Sequence, residues 1–230
     1  MIEFKGVTLK YHYDEFALLK GASFTLRDGL NSVLCDTQSG KSTICRLLCK
    51  DIKATSGQIF VDGLEIDSIT DACLGILYLP NAPTFFENRS VRYNIEYPLR
   101  VRKVERAERK QRAEQIAASL GVDCLDEKVN KLTAEQRKLV ALARGLTVER
   151  KVVLFDDFFE VDDVDKSLAY MHSVIDKFNG ATCVILSSDS RLAVGNTVVL
   201  DGGATVYEGD AVGAQPVIDG LQWINRSLKE

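Results

Sequence analysis

The chain has 230 residues, 46% of them hydrophobic and 27% charged, with a formal charge of −4. That balance suits one large globular domain with an ample core, and it lacks the basic footprint that nucleic acid requires, so no nucleic-acid partner is expected. The opening stretch MIEFKGVTLKY carries no apolar leader, and no apolar run approaches the ~20 residues that span a bilayer, which points to a cytosolic protein.

Residues 2–9 and 22–27 alternate apolar and polar, as half-buried antiparallel strands do. Leu30–Leu34 is a short apolar strand that feeds Cys35-Asp-Thr-Gln-Ser-Gly-Lys-Ser-Thr43, and Lys41–Cys49 then has helical spacing, with Ile44, Leu47 and Leu48 apolar. Gly57–Gly63 reads as a strand closed by an Asp-Gly turn, and Ile76–Leu79 as a buried strand ended by Pro80. From about residue 90 to 150 the chain is helical, charged and poor in strand signals. Val104–Leu120 carries Ala107, Ala113, Ile116, Ala117 and Leu120 on one broad side, and the Lys/Arg-rich segment Arg100–Arg112, broken by Glu105 and Glu108, reads as a solvated face. Strand signals return at Val152–Phe155 and Cys183–Leu186, VVLDGGATVYEGD reads as a hairpin turning at Gly202-Gly203, and the tail from Val217 reads as a surface helix. The six cysteines fall in no metal-binding spacing and read as buried thiols. The pattern is an α/β core with a helical insertion and antiparallel strands near both ends.

Two segments carry chemistry. Gly40, Lys41, Ser42 and Thr43 fit the end of the phosphate-binding pattern G-x-x-x-x-G-K-[ST], where helix-start N–H groups face phosphate, the lysine reaches the β- and γ-phosphates and the hydroxyl meets Mg²⁺. Cys35 stands where the pattern has its first glycine, so a strained loop is expected, and a chance Ser-Gly-Lys-Ser-Thr is the competing reading of this segment alone. Lys151–Asp157 is an apolar strand ending in two carboxylates. Asp156 suits a Mg²⁺ contact through water and Asp157 an attacking water; the bland alternative is a buried strand followed by surface acids. Together the two segments favour a nucleotide site.

The order of motifs resembles an ATP-binding-cassette (ABC) ATPase domain along nearly the whole chain. Tyr11, followed by Leu18-Leu19-Lys20 and Ala22–Leu26, looks like the strand whose aromatic stacks on adenine, with Tyr13 as the substitute. Cys35–Thr43, including Gln38 and Ser39, matches the phosphate loop. Leu79–Phe86 looks like the Q-loop, with Asn81 at the glutamine position beside the metal. Ser90–Ile95 resembles the start of the helical subdomain. Leu132–Gln136 followed by RKLVALARGL resembles the signature motif and its helix, so Thr133 and Gln136 are placed against nucleotide. Phe155–Asp163 would carry the Walker B acids and D-loop, and Val184–Asp189 the switch strand, with Ser188 at the histidine position.

The resemblance implies an α/β fold, a P-loop NTPase (RecA-like) core with an N-terminal antiparallel β subdomain and a helical insertion. It implies one domain over 1–230, with 1–87 and 151–230 as nucleotide-binding core and 88–150 as helical subdomain. It also implies ATP and Mg²⁺ as cofactors, a membrane permease subunit and a second ABC ATPase domain (homo- or heterodimer) as partners, and a cytoplasmic place at the inner face of the cell membrane.

The departures from the family pattern all weaken turnover. Thr133 and Gln136 form a capping box, but Ala134 and Glu135 replace glycines or serine where a partner's γ-phosphate would approach, and Glu135 repels it. Asp157 replaces the catalytic glutamate and is shorter by about 1.5 Å, and misplacement by about 1 Å costs around a hundredfold. Ser188 lacks the reach and charge of imidazole, and Asn81 is likewise short. MgATP binding with slow or absent hydrolysis is expected; a non-catalytic scaffold or regulatory module is the alternative.

Overall fold

A computed structural model describes residues 1–10, 17–36, 40–70, 74–159 and 164–221. The chain falls into two compact units, Met1–Tyr78 with Lys151–Glu230, and Leu79–Arg150. The first unit opens with β1 (Ile2–Leu9), β2 (Leu19–Leu26), β3 (Leu30–Leu34), α1 (Lys41–Leu48), β4 (Ser56–Val61), β5 (Leu64–Glu65) and the start of β6 (Ile76–Pro80), whose last two residues belong to the second unit. The second unit holds α2 (Val91–Val101), α3 (Arg106–Ser119) and α4 (Ala134–Leu146). The first then resumes with β7 (Val152–Asp156), α5 (Val164–Ile175), β8 (Thr182–Ser187), β9 (Asn196–Asp201), β10 (Ala204–Asp210) and α6 (Ala211–Gly220).

In the first unit an antiparallel sheet has the order β2-β1-β4-β5, and a mixed sheet has the order β10-β9-β3-β8-β7-β6. Strand β3 runs parallel to β8 and β9, and β7 parallel to β8. The central strands β7 and β8 are buried at every position. That is why their sequences are continuous apolar runs, as parallel strands covered on both faces require. The core lies between the two sheets and α1, and includes Phe4 stacked on Phe24, Leu26, Ile44, Leu48, Leu154 and Leu186. The hairpin β9–β10 turns at Gly202 and Gly203, both with positive φ (53° and 88°), and a Cβ on Gly203 would lie 2.4 Å from the Leu18 carbonyl oxygen. Only glycine fits there.

The register sets the site. Leu34 pairs with Ser187, and Asp156 with Leu186, so β3, β7 and β8 end side by side. The chain segments after them, starting at Cys35, Asp157 and Ser188, share the carboxyl edge of the sheet, where open α/β sheets bind ligands.

The second unit packs Val91, Ile95, Ala113, Ala117, Val129, Val140 and Ala143 into its own core. Each helix has a side-chain cap: Ser90 accepts from the Tyr93 N–H, Glu105 from Ala107 N–H at 2.7 Å, and Thr133 from Gln136 N–H at 3.3 Å with the reciprocal Gln136 bond of a capping box. Ala107, expected on the inward side of α3, is exposed. It lies six residues before Ala113, which at about 100° per residue turns it about 120° off the buried stripe. Among the described residues no helix is long and apolar enough to cross a membrane.

Candidate functional site

Strand β3 hands the chain to α1 through Gly40, the N-cap, at φ 98° and ψ 13°. A Cβ there would sit 3.5 Å from both Leu18 O and Leu19 Cδ2 in a left-handed backbone, so the retained glycine is the one the loop needs. Cys35 adopts no positive φ, and its N–H donates to Ser187 O at 3.1 Å. At Cys35 itself the backbone uses none of glycine's extra freedom, so the cysteine stands there without a left-handed conformation; residues 37–39 of the loop lie outside the described residues. Burial pushes the Cys35 thiol up to about 12 against the opposing pull of Lys41, so it meets the loop as a neutral group.

Lys41 opens α1 and is 5% exposed. Its Nζ lies 3.5 Å from Asp157 Oδ2 and 3.5 Å from the Asp36 carbonyl oxygen, both long contacts. One residue on, Ser42 Oγ donates to Asp156 Oδ2 at 2.8 Å. Tyr78 Oη, from β6, donates to the same oxygen at 2.8 Å. The Asp156 side chain is thus held twice on one side, while Oδ1 is buried without a hydrogen-bond partner among the described residues. The Tyr78 phenol is raised by burial first and by its bond to Asp156 second, so it stays a donor at neutral pH.

Asp157 follows with φ 45°, a left-handed conformation that aspartate tolerates better than most residues, and its N–H donates to Leu186 O at 3.0 Å. Its carboxyl is raised above the usual carboxylate range, first by burial and also by the neighbouring Asp156 charge. Lys41 and a backbone bond from Ser188 pull the other way. Ser188 therefore meets Asp157 through its backbone.

The structure thus brings Cys35, Gly40, Lys41, Ser42, Thr43, Asp156, Asp157 and Ser188 together within the first unit. Tyr11, Gln38 and Ser39, with the alternative Tyr13 and the D-loop end Asp163, lie outside the described residues. Asn81, Thr133 and Gln136 belong to the second unit, where Asn81 and Thr133 are exposed and Gln136 is half-buried. Beside Thr133, Glu135 is exposed and held below its ordinary carboxylate range by the Thr133 hydroxyl and its own N–H. Sequence reasoning missed Tyr78; the only signal was a phenol in the otherwise aliphatic run Ile76–Leu79.

The donor set fits Mg²⁺ better than a protein-caged metal. Among the described residues no group of three or more His, Cys, Asp or Glu could hold an ion alone. One serine hydroxyl and a carboxylate with an orphaned buried oxygen match a cation that keeps water and takes phosphate oxygens.

A family model described as ABC transporter matches residues 19–160. The chain is similar to the molybdate/tungstate import ATP-binding protein WtpC of Thermococcus kodakarensis, 31% identical over 154 residues, which are 66% of this chain and 46% of the relative. It is also similar to the WtpC of Archaeoglobus fulgidus, 34% identical over 126 residues, 54% of this chain and 52% of the relative. The chain therefore spans about half the length of the curated relatives it matches. Among solved structures, CbiO1 from Clostridium perfringens, described as part of the ABC transporter complex CbiONQ, superposes with a TM-score of 0.76 at 21% identity, covering 95% of this chain and 93% of that one. A bacterial Atm1-family ABC exporter with ATP bound gives 0.79 at 21% identity, covering 99% of this chain and 41% of the exporter. Both likenesses are of fold. With the family model spanning more than half of the sequence, the chain belongs to the ATP-binding domains of the ABC transporter family.

Proposed function

We propose that this chain is the ATP-binding subunit of an ABC transporter, that it binds MgATP at the carboxyl edge of the mixed sheet, and that it hydrolyses ATP slowly if at all. The observation that carries the reading is the Ser42–Asp156 hydrogen bond at 2.8 Å beside a buried Lys41 at the start of α1. Backbone N–H groups at that helix start and the Lys41 ammonium would hold the phosphates. Ser42 and Asp156 would hold Mg²⁺, which when bound neutralises phosphate charge and polarises the terminal phosphoryl group. Tyr11, Cys35, Gln38, Ser39 and Thr43 complete the nucleotide contacts in this reading, and Thr133, Gln136 and Asn81 serve the composite site of a dimer.

Slow turnover follows from Asp157. Its carboxylate is one methylene short of glutamate, sits on a left-handed residue and is drawn toward Lys41 at 3.5 Å. A base so engaged is poorly placed to orient water. Ser188 offers Asp157 its backbone, not an imidazole.

The helical unit supports a membrane-permease partner, and with it a place at the inner face of the membrane. Phe86 and Tyr97 are exposed on it, their rings 4.6 Å apart, and Arg89 and Arg100 lie over the adjoining Tyr93 ring at 5.2 and 4.5 Å. Exposed aromatics flanked by arginines suit a protein interface. A second ABC ATPase domain is the other partner, with the Thr133 end of α4 facing its nucleotide.

The second reading, a non-catalytic scaffold or regulator, draws on the Lys41–Asp157 contact, which neutralises the phosphate-binding lysine from within the chain. Calorimetric titration of the protein with MgATP, beside Lys41→Ala, decides between them. Binding in the parent and its loss in the variant supports the nucleotide-binding subunit; no binding at millimolar MgATP in the parent supports the scaffold.

A further inference from the structure

We infer that Tyr78 is a positioning residue for the divalent cation, holding Asp156 in the one orientation that leaves a carboxylate oxygen ready for the ion's water shell; the inference rests on the MgATP reading above. Two hydroxyls from different elements, Ser42 Oγ on α1 and Tyr78 Oη on β6, donate to the same oxygen, Asp156 Oδ2, each at 2.8 Å. The other oxygen, Oδ1, is buried and has no hydrogen-bond partner among the described residues. A buried carboxylate oxygen without a donor is costly. A carboxylate free to rotate would share its two donors between its two oxygens. Here the donors converge from two sides on Oδ2, which fixes the rotation about the Cβ–Cγ bond and leaves Oδ1 unsatisfied.

The phenol is suited to this task. The ring is half-buried against the core that includes α1, its hydroxyl is the only polar group on the strand's side chains, and burial keeps it protonated. If Tyr78 were a plug that blocks the cation, its hydroxyl would occupy the oxygen that is otherwise free. It sits instead on the oxygen that Ser42 already holds. Ser42 can offer a lone pair to a cation while its hydrogen stays on Oδ2, so neither hydroxyl bond has to break when the ion arrives. Residues that orient a metal's ligands in this way typically change metal affinity by about 10- to 100-fold when removed. Tyr78 also ties Asp156 to the strand that leads directly into Pro80 and Asn81.

The test is Tyr78→Phe, which keeps the ring and removes only the hydroxyl. Mn²⁺, as a spectroscopic stand-in for Mg²⁺, is titrated by electron paramagnetic resonance in the presence of a non-hydrolysable ATP analogue, and analogue affinity is measured separately with excess chelator. The expected result is Mn²⁺ affinity lowered about tenfold with chelator-state nucleotide affinity unchanged. Unchanged Mn²⁺ affinity overturns the inference, and tighter Mn²⁺ binding overturns it by showing a plug. Equal loss of cation and nucleotide affinity overturns it too, by showing general damage to the loop. Failure of the unmodified protein to bind the analogue would instead overturn the nucleotide-binding reading itself, and is seen before any substitution is made. Should Tyr78→Phe fold poorly, Tyr78→Met, which also fills the site without a hydroxyl, is taken through the same titrations, with the same fall in Mn²⁺ affinity expected and an unchanged affinity overturning the inference.

Discussion

Two polar centres, one in each unit, are built to opposite ends. In the helical unit Arg137 donates to both Glu87 oxygens at 2.9 and 2.5 Å, to Val129 O and to Pro83 O, and lies over the Phe85 ring. Nearby, the fully buried Asn94 accepts from Phe86 N–H and donates to Phe86 O and Ser90 O. Those groups are satisfied, and they pin the segment around residues 83–90 to α2 and α4. At the sheet edge the opposite holds. Among the described residues Asp156 keeps one oxygen unpaired, and the Lys41 contacts to Asp157 and Asp36 are long, at 3.5 Å. A completed network stabilises the fold, whereas an incomplete one loses stability and gains a place for a ligand. The difference separates the Arg137 and Asn94 network from the sheet-edge groups proposed as functional.

The largest effect should come from Asn94→Ala, which removes three part-buried hydrogen bonds and takes from the Phe86 N–H its acceptor, while Phe86 O keeps the Arg89 N–H. Chemical denaturation should show a loss of about 3 kcal/mol. Arg137→Ala should cost about 2 kcal/mol, mostly through its carbonyl bonds and ring contact, because half-exposed Glu87 is screened by water. Lysine at 137 should restore little of it, since an ammonium cannot engage two oxygens as a planar fork. Thr133→Ala should cost about 1 kcal/mol by opening the capping box. Comparable losses of MgATP affinity in Asn94→Ala and in a phosphate-loop variant would break the comparison.

Titration sharpens it further. Asp157 has a folded pKa raised above its ordinary 3.8, so its contribution to stability is fully present below that value and is lost as pH rises through the folded one. Melting temperature followed from pH 3.5 upward (roughly the carboxylate range) should therefore carry a falling component that Asp157→Asn abolishes. Glu87 is lowered from its ordinary 4.5 by the Arg137 hydrogen bond, so its contribution is present above that value and lost as pH falls through the folded one. Glu87→Gln should remove a component of the opposite sign. The smallest effect is chemical: the buried Cys35 thiol, pushed up to about 12, should resist alkylation at neutral pH in the folded protein and react only on unfolding.

Much of the fold was legible in local patterns. The apolar run Val152–Phe155 is strand β7, Thr133-Ala-Glu-Gln136 is a capping box at the head of α4, and Gly202-Gly203 turns the β9–β10 hairpin. Each depends on neighbours within a few residues, so each can be read from spacing and residue type. Ala107 was misread because alanine is small enough to stand on either face, so a helix rich in it marks its inward stripe weakly.

The sequence by itself determined the order of the elements its patterns mark, the Thr133 capping box and the presence of a Gly-Lys-Ser helix start and a strand ending in two acids. Local propensity, hydrophobic period and a handful of motif residues are sufficient for these. Only the tertiary structure decided how the motifs meet. The parallel register of β3, β8 and β7 brings Ser42 to Asp156 across 114 residues, and the neighbouring β6 brings Tyr78 to the same oxygen across 78. Tertiary packing also decided that Cys35 stands without a left-handed conformation where a glycine was expected, and that Ser188 meets Asp157 through its backbone. Those outcomes depend on strand pairing and burial between distant segments, and no local pattern in the chain encodes the distance between two side chains that far apart.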